Sequence, residues 1–175
     1  MTNVQRPSAA PRQQGAADAG RRSRSRAIVR GPGDGHVIPG PEGITLKATG
    51  DETGGSIGFF EGTTPAGFGP PRHIHHTCDE LFYVLSGEFE FLLGDQVVHA
   101  GPGTFVFIPR GTVHAPKVAG TEPGRVIAAF VPGGQEQAFE EFAKLVPARE
   151  GEEPDAEELQ AIAKKYDSEL VGPPL

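Results

Sequence analysis

Cysteine is nearly absent from this 175-residue chain, which has Cys78 alone, and tryptophan is missing altogether. A lone thiol excludes an intrachain disulfide framework and makes a reducing compartment, the cytoplasm, the expected address. No apolar run approaches the ~20 residues that a membrane helix needs, and the N-terminus lacks the apolar stretch of an export signal. No membrane partner is therefore expected. A positive surplus is missing too. The formal charge is −7, and it is uneven: residues 1–26 carry six arginines and one acid, a net +5, which leaves −12 for the remainder. An acidic body repels phosphates, so nucleic acid is not an expected partner. The basic arm 1–26 has no aromatic residue and no hydrophobic period, and is read as a disordered overhang.

Glycine and proline, by contrast, are plentiful, at 25 and 17 residues. They separate short apolar runs such as "ITLKAT", "ELFYVLS", "EFEFLL", "QVVHA", "TFVFIP" and "RVIAAFV". In "EFEFLL", Phe89, Phe91 and Leu93 fall on one face while Glu88 and Glu90 take the other, the mark of a half-buried antiparallel strand. Gly94-Asp95 reads as a hairpin turn, and Gly101-Pro102-Gly103 as another. Many short strands at close spacing predict an all-β sandwich or barrel over 27–134. From Gln135 the period becomes helical. Phe139, Phe142 and Val146 line one helix that Pro147 ends. Leu159, Ile162, Ala163 and Tyr166 line a second, with capping-box-like Asp155 and Glu158 at its start. The C-terminal extension 135–175 is thus expected to place two helices against the outside of the sheets.

Three of the six histidines fall in "GPPRHIHHTCDELFYVLSG". Residues two apart on a strand point the same way, so His73 and His75 can aim at one point while Ile74 faces away. Glu80 follows a short polar link. His114 lies beyond the turn-like Pro109-Arg110-Gly111 and would come from a neighbouring strand. Three imidazoles and a carboxylate suit one first-row divalent ion (Fe, Mn, Co, Ni, Cu or Zn) better than Mg or Ca. His36, His76 and His99 read as surface residues, and Asp79 as a solvated edge charge.

These residues resemble the cupin family, whose first motif is G-x5-H-x-H-x3,4-E-x6-G and whose second is G-x5-P-x-G-x2-H-x3-N. Gly67, His73, His75, Glu80 and Gly87 match the first, and Gly103, Pro109, Gly111 and His114 the second, with 15 residues between the motifs. Val118 departs from the pattern at its final Asn, which is not a ligand in the family. The resemblance implies a small antiparallel jelly roll (double-stranded β-helix) with His73, His75, Glu80 and His114 as metal ligands.

With "FEEFAKLV" in its C-terminal helix, the chain looks like the single-domain bacterial quercetin 2,3-dioxygenase-like cupins. Members of that group cleave a flavonol heterocycle with dioxygen and release carbon monoxide, with the glutamate as ligand and general base. The expected enzyme is therefore a metal-dependent dioxygenase with Glu80 catalytic, acting on a small aromatic or enolic substrate. Phe82, Phe89 and Phe91 are candidates to hold that substrate. A Lewis-acid isomerase, cyclase or lyase is the alternative, and a small-molecule sensor a third reading. The few basic residues near the motifs, Arg72, Arg110 and Lys117, speak against a multiply charged sugar nucleotide. The expected assembly is a homodimer.

Overall fold

Alternating burial along short strands builds two antiparallel sheets that face each other. The computed structural model describes residues 26–40, 42–145 and 155–175. The strands are β1 (His36–Ile38), β2 (Ile44–Ala48), β3 (Gly58–Thr64), β4 (Arg72–His75), β5 (Asp79–Ser86), β6 (Glu88–Leu93), β7 (Gln96–Ala100), β8 (Phe105–Ile108), β9 (His114–Ala119), β10 (Gly124–Val131) and β11 (Ser168–Gly172). One sheet runs β1-β2-β3-β10-β5-β8 and the other β11-β4-β9-β6-β7. The expected all-β jelly roll is therefore present. The arm lies outside the described residues except for Arg26, and so do Val146 and Pro147.

The core lies between the sheets. Phe82 and Val84 of β5, Phe89 and Phe91 of β6, and Val126, Ala128 and Phe130 of β10 are all buried there. Burying each large apolar side chain is worth roughly 1.5–3 kcal/mol, so this inner layer dominates the stability. Val118 occupies its place as a fully buried core residue opposite Phe89, so valine at the position of the motif's asparagine serves packing.

The described residues also hold three α-helices, α1 (Gly50–Thr53), α2 (Ala138–Lys144) and α3 (Ala156–Lys165), and a 3-10 turn at Gln135–Gln137 that leads into α2. A true capping box starts α1, with Thr49 and Glu52 exchanging side-chain and backbone bonds. At α3 only one half of such a box forms: Asp155 accepts from the Glu157 and Glu158 backbone. The chain does not end with its helices. After α3 it returns as β11, which pairs antiparallel with β4 and sets Ser168 opposite His75. Among the described residues, no helix is long and apolar enough to cross a membrane.

A buried carboxylate ties the C-terminal segment to the first sheet. Glu136 is completely buried. Its Oε1 accepts from the Gly50 N–H at 2.6 Å, and its Oε2 from the Gly134 N–H at 2.8 Å. Residue 58 must be glycine, because any Cβ there would collide with this carboxyl group. Glu136→Ala would orphan two buried N–H groups at about 1–3 kcal/mol each. The expected outcome is a loss of about 2–5 kcal/mol in urea unfolding, whereas a change below about 0.5 kcal/mol would show that the tie is dispensable.

Candidate metal centre

Strand parity and register bring the four motif residues together. His73 and His75 lie on β4, Glu80 on β5 and His114 at the start of β9, directly across from His73. One ligand atom from each lies within 4.8 Å of the others. The imidazole centroids are 4.9 Å apart for His73 and His75, 4.2 Å for His73 and His114, and 5.2 Å for His75 and His114. His75, Glu80 and His114 are buried.

The second nitrogen of each ring explains the orientation. His73 Nδ1 donates to the Pro71 carbonyl at 2.7 Å and His114 Nδ1 to the Thr112 carbonyl at 2.9 Å. His75 Nδ1 lies 2.8 Å from the Ser168 hydroxyl oxygen. A carbonyl can only accept, so in His73 and His114 the outer nitrogen carries a proton and Nε2 is left for the centre. The Nε2 of His75 is buried without a hydrogen-bond partner. Outer-shell bonds of this kind orient imidazoles toward a metal.

Charge makes the same demand. Glu80 Oε2 stands 2.9 Å from His114 Nε2 and 3.4 Å from His75 Nε2. With the His114 Nδ1 proton already committed to Thr112, a cation must lie between Nε2 and the carboxylate, either a second proton or a metal ion. Burial works against the Glu80 charge, but the hydrogen bond with His114 and the close approach of His75 together prevail and hold the carboxyl below the usual range. Burial lowers His114, yet its bond to Glu80, the charge of Glu80 and the bond to the Thr112 carbonyl together outweigh this and raise it. Burial and two neighbouring imidazoles push His73 down to about 3, so it is neutral and free to ligate. The donor set fits one divalent transition ion.

The second motif's turn is pinned by an ion pair. Arg110 donates from Nε to Asp79 Oδ1 at 2.9 Å and from Nη2 to Oδ2 at 3.0 Å. Its backbone N–H also donates to Oδ1 at 2.9 Å. Asp79 is therefore no solvated edge charge. Gly111 closes the turn by donating its N–H to the His75 carbonyl at 2.8 Å, with φ at +82°, a backbone region that favours glycine. The remaining histidines are peripheral: His36 meets Glu140, His76 meets Glu169 and His99 meets Glu90.

A cavity of about 290 Å³ leads away from the centre. His73, His75 and Glu80 stand in its wall, and Phe60, Phe82, Phe89, Phe130, Phe139 and Phe142 supply aromatic surface. Phe82 and Phe89 thus face the cavity. Phe91 stands behind them, fully buried, with its ring 5.2 Å from Phe82 and 5.9 Å from Phe89. The C-terminal helices contribute as well, since Ala138, Ala143, Leu159 and Ala163 reach the same cavity. Sequence reading did not single out Glu42, whose surroundings, "PGPEG", look like an ordinary loop. Its carboxyl lines the cavity, and burial, followed by the charge of Glu80, raises it to about 7. Cys78 is buried, and burial pushes its thiol up to about 12, which leaves it inert at neutral pH.

Residues 60–130 match the family model described as a cupin domain. The chain therefore carries a cupin domain, in the double-stranded β-helix architecture of the cupin superfamily. It is 44% identical over 52 residues to dimethylsulfoniopropionate lyase DddQ of Ruegeria pomeroyi, a match covering 29% of this chain and 25% of that protein. It is 39% identical over 89 residues to germin-like protein subfamily 2 member 2 of Arabidopsis thaliana, covering 45% of this chain and 39% of that protein. These matches thus span from a quarter to about two fifths of the curated relatives' lengths. An RmlC-like cupin from Shewanella frigidimarina superposes with a TM-score of 0.54 at 18% identity, covering 65% of this chain and 96% of the other, which shows the shared fold.

Two outcomes are expected. His75→Ala should purify with its transition-metal content reduced at least about tenfold by elemental analysis, and full metal occupancy would dismiss the centre. For the metal-free protein, the raised Glu42 favours the folded state fully below its unfolded value of 4.5, and this contribution is lost as pH rises through about 7. Glu42→Gln should therefore be more stable than the parent at pH 8, on the order of 1–3 kcal/mol, with the gap vanishing near pH 4. A gap that does not depend on pH would refute the assignment.

Proposed function

We propose that the protein is a metal-dependent cupin enzyme that cleaves a flat, enolic aromatic substrate of the flavonol kind with dioxygen. The observation that carries this reading is the phenylalanine-lined cavity whose wall holds His73, His75 and Glu80, with His114 completing the cluster behind them. His73, His75, Glu80 and His114 would hold one first-row divalent ion. When bound, that ion supplies Lewis acidity and, if redox-active, a path for electrons between substrate and dioxygen. The rings of the substrate lie against Phe82 and Phe89, which exclude water and turn the enolic hydroxyl toward the centre. Glu80 takes the hydroxyl proton. Glu42, near 7, has the proton affinity to receive it and pass it outward. The enolate is the reductant and dioxygen the oxidant, and one ring carbon leaves as carbon monoxide, as in the flavonol-cleaving proteins that the sequence resembles.

The local likeness to a dimethylsulfoniopropionate lyase favours a second reading, elimination without oxygen. There a pocket carboxylate removes a proton adjacent to a carbonyl, and the leaving group departs with its bonding electrons. Oxygen-electrode assays of the full-length, metal-loaded protein across flavonols and related enols separate the two. Oxygen uptake matching substrate loss is expected, with Glu80→Gln slower by on the order of 10² to 10⁴ and metal content falling much less. Unchanged turnover under strict anaerobiosis would sink the dioxygenase and promote the lyase.

We further propose that the protein is cytoplasmic, in keeping with its single buried thiol, and that two copies pair through the outer face of the first sheet. Tyr83 lies opposite Phe105 and Leu81 opposite Phe107, on the edge formed by β8. Phe105, Phe107 and Tyr83 are 59%, 50% and 44% exposed. Aromatic surface of this kind marks contact faces. Sedimentation should give a dimer for the full chain and a monomer for Phe107→Glu, whereas a monomeric parent at micromolar concentration would remove this assembly.

A further inference from the structure

The three central imidazoles are held by their Nδ1 atoms, but the origins of those holds differ. His73 and His114 each use a carbonyl two residues earlier in the chain, so their support comes with the motif itself. His75 depends on Ser168, 93 residues away. Ser168 is only 5% exposed, and β11 places it directly across from His75. Its hydroxyl lies 3.1 Å from Gln135 Oε1 and 3.4 Å from the Tyr166 carbonyl. Both are acceptors, so the single hydroxyl proton points to one of them. A lone pair then faces His75, and Nδ1 of His75 must be the donor. This fixes the tautomer that leaves the buried, unpartnered Nε2 with a free lone pair. Ser168 and Gln135 both lie outside residues 60–130, the stretch that matches the cupin model.

We infer that Ser168, backed by Gln135, is a positioning residue for His75, so that the C-terminal strand forms part of the metal centre. This rests on the metal-site reading above, though not on the choice of reaction. Without the hydroxyl, Nδ1 of His75 loses its hydrogen bond and the ring can rotate, exchanging Nδ1 for Nε2 at the centre. Outer-shell losses of this kind typically cost 10–100-fold in metal affinity. Phe130 does not substitute, because its ring, with its centroid 5.2 Å from that of His75 and its plane inclined at 77°, carries no hydrogen-bonding atom.

The test uses the full chain, stripped with chelator and titrated with Co²⁺. Affinity comes from competition with a chromogenic chelator, coordination from the visible Co²⁺ bands, and folding from the melting temperature of the metal-free form. Ser168→Ala is expected to bind Co²⁺ on the order of 10–100-fold more weakly, with altered bands and a nearly unchanged metal-free melting temperature. Ser168→Thr keeps the hydroxyl and should restore both affinity and spectrum. Gln135→Ala should weaken binding in the same direction, and it decides the matter if Ser168→Ala does not fold. Parental affinity and bands in Ser168→Ala, or in Gln135→Ala where it must decide, would overturn the inference. So would an equal loss in the alanine and threonine variants, which would assign the effect to strand packing. A parent that binds no Co²⁺ would remove the metal site itself, whereas a parent that binds metal but consumes no oxygen would leave this inference standing.

Discussion

Three imidazoles and one carboxylate bring one ligand atom each to within 4.8 Å of the others inside an apolar shell, and the rest of the molecule is arranged to make that tolerable. Polar groups stripped of water are costly unless each finds a partner, and a low-dielectric surrounding sharpens both the penalty and the reward. Each Nδ1 is satisfied by an outward bond, which directs the remaining demand to one interior point. There the Glu80 carboxylate faces two Nε2 atoms, and only a cation can reconcile them. Phe130, Phe82 and Phe89 deny water the chance to do so instead.

Holding four groups to such tolerances requires that the segments carrying them not drift. Two devices far from the cavity mouth provide this. The Asp79–Arg110 fork fastens the first residue of β5, next to Glu80, to the turn before His114. Glu136, with its two glycine N–H donors, anchors the beginning of the C-terminal segment against α1. Each bond is modest in net worth, but the Asp79–Arg110 pair spans 31 residues and the Gly50–Glu136 bond 86, so both hold together segments far apart in the chain.

Much of this was legible beforehand, for identifiable reasons. The i, i+2 pair His73 and His75 needs only strand parity, and the turn residues before His114 announce the strand that brings it back. The alternation of Glu88 to Leu93 reports its inner and outer faces directly. What escaped is equally specific. Glu42 sits among prolines and glycines, where a charge reads as solvent-facing, and only the folded cavity turns it inward. Asp79 reads as a solvated edge charge because its partner, Arg110, is 31 residues away. The strand β11 has five residues, two of them Glu169 and Gly172, and follows a helix immediately, so no period could register. The four-residue α1 is likewise too short for one.

The return of the chain as β11 has a consequence for biosynthesis. Chains emerge from the ribosome in order, N-terminal residues first. All four candidate ligands are made well before Ser168, so the sheets can assemble while His75 still lacks its anchor. The Ser168 hydroxyl reaches His75 only when β11 pairs with β4. On the inference drawn above, a chain interrupted before that strand would hold the His75 ring less firmly than one that includes it, so the order of synthesis would set when the four groups acquire their final arrangement.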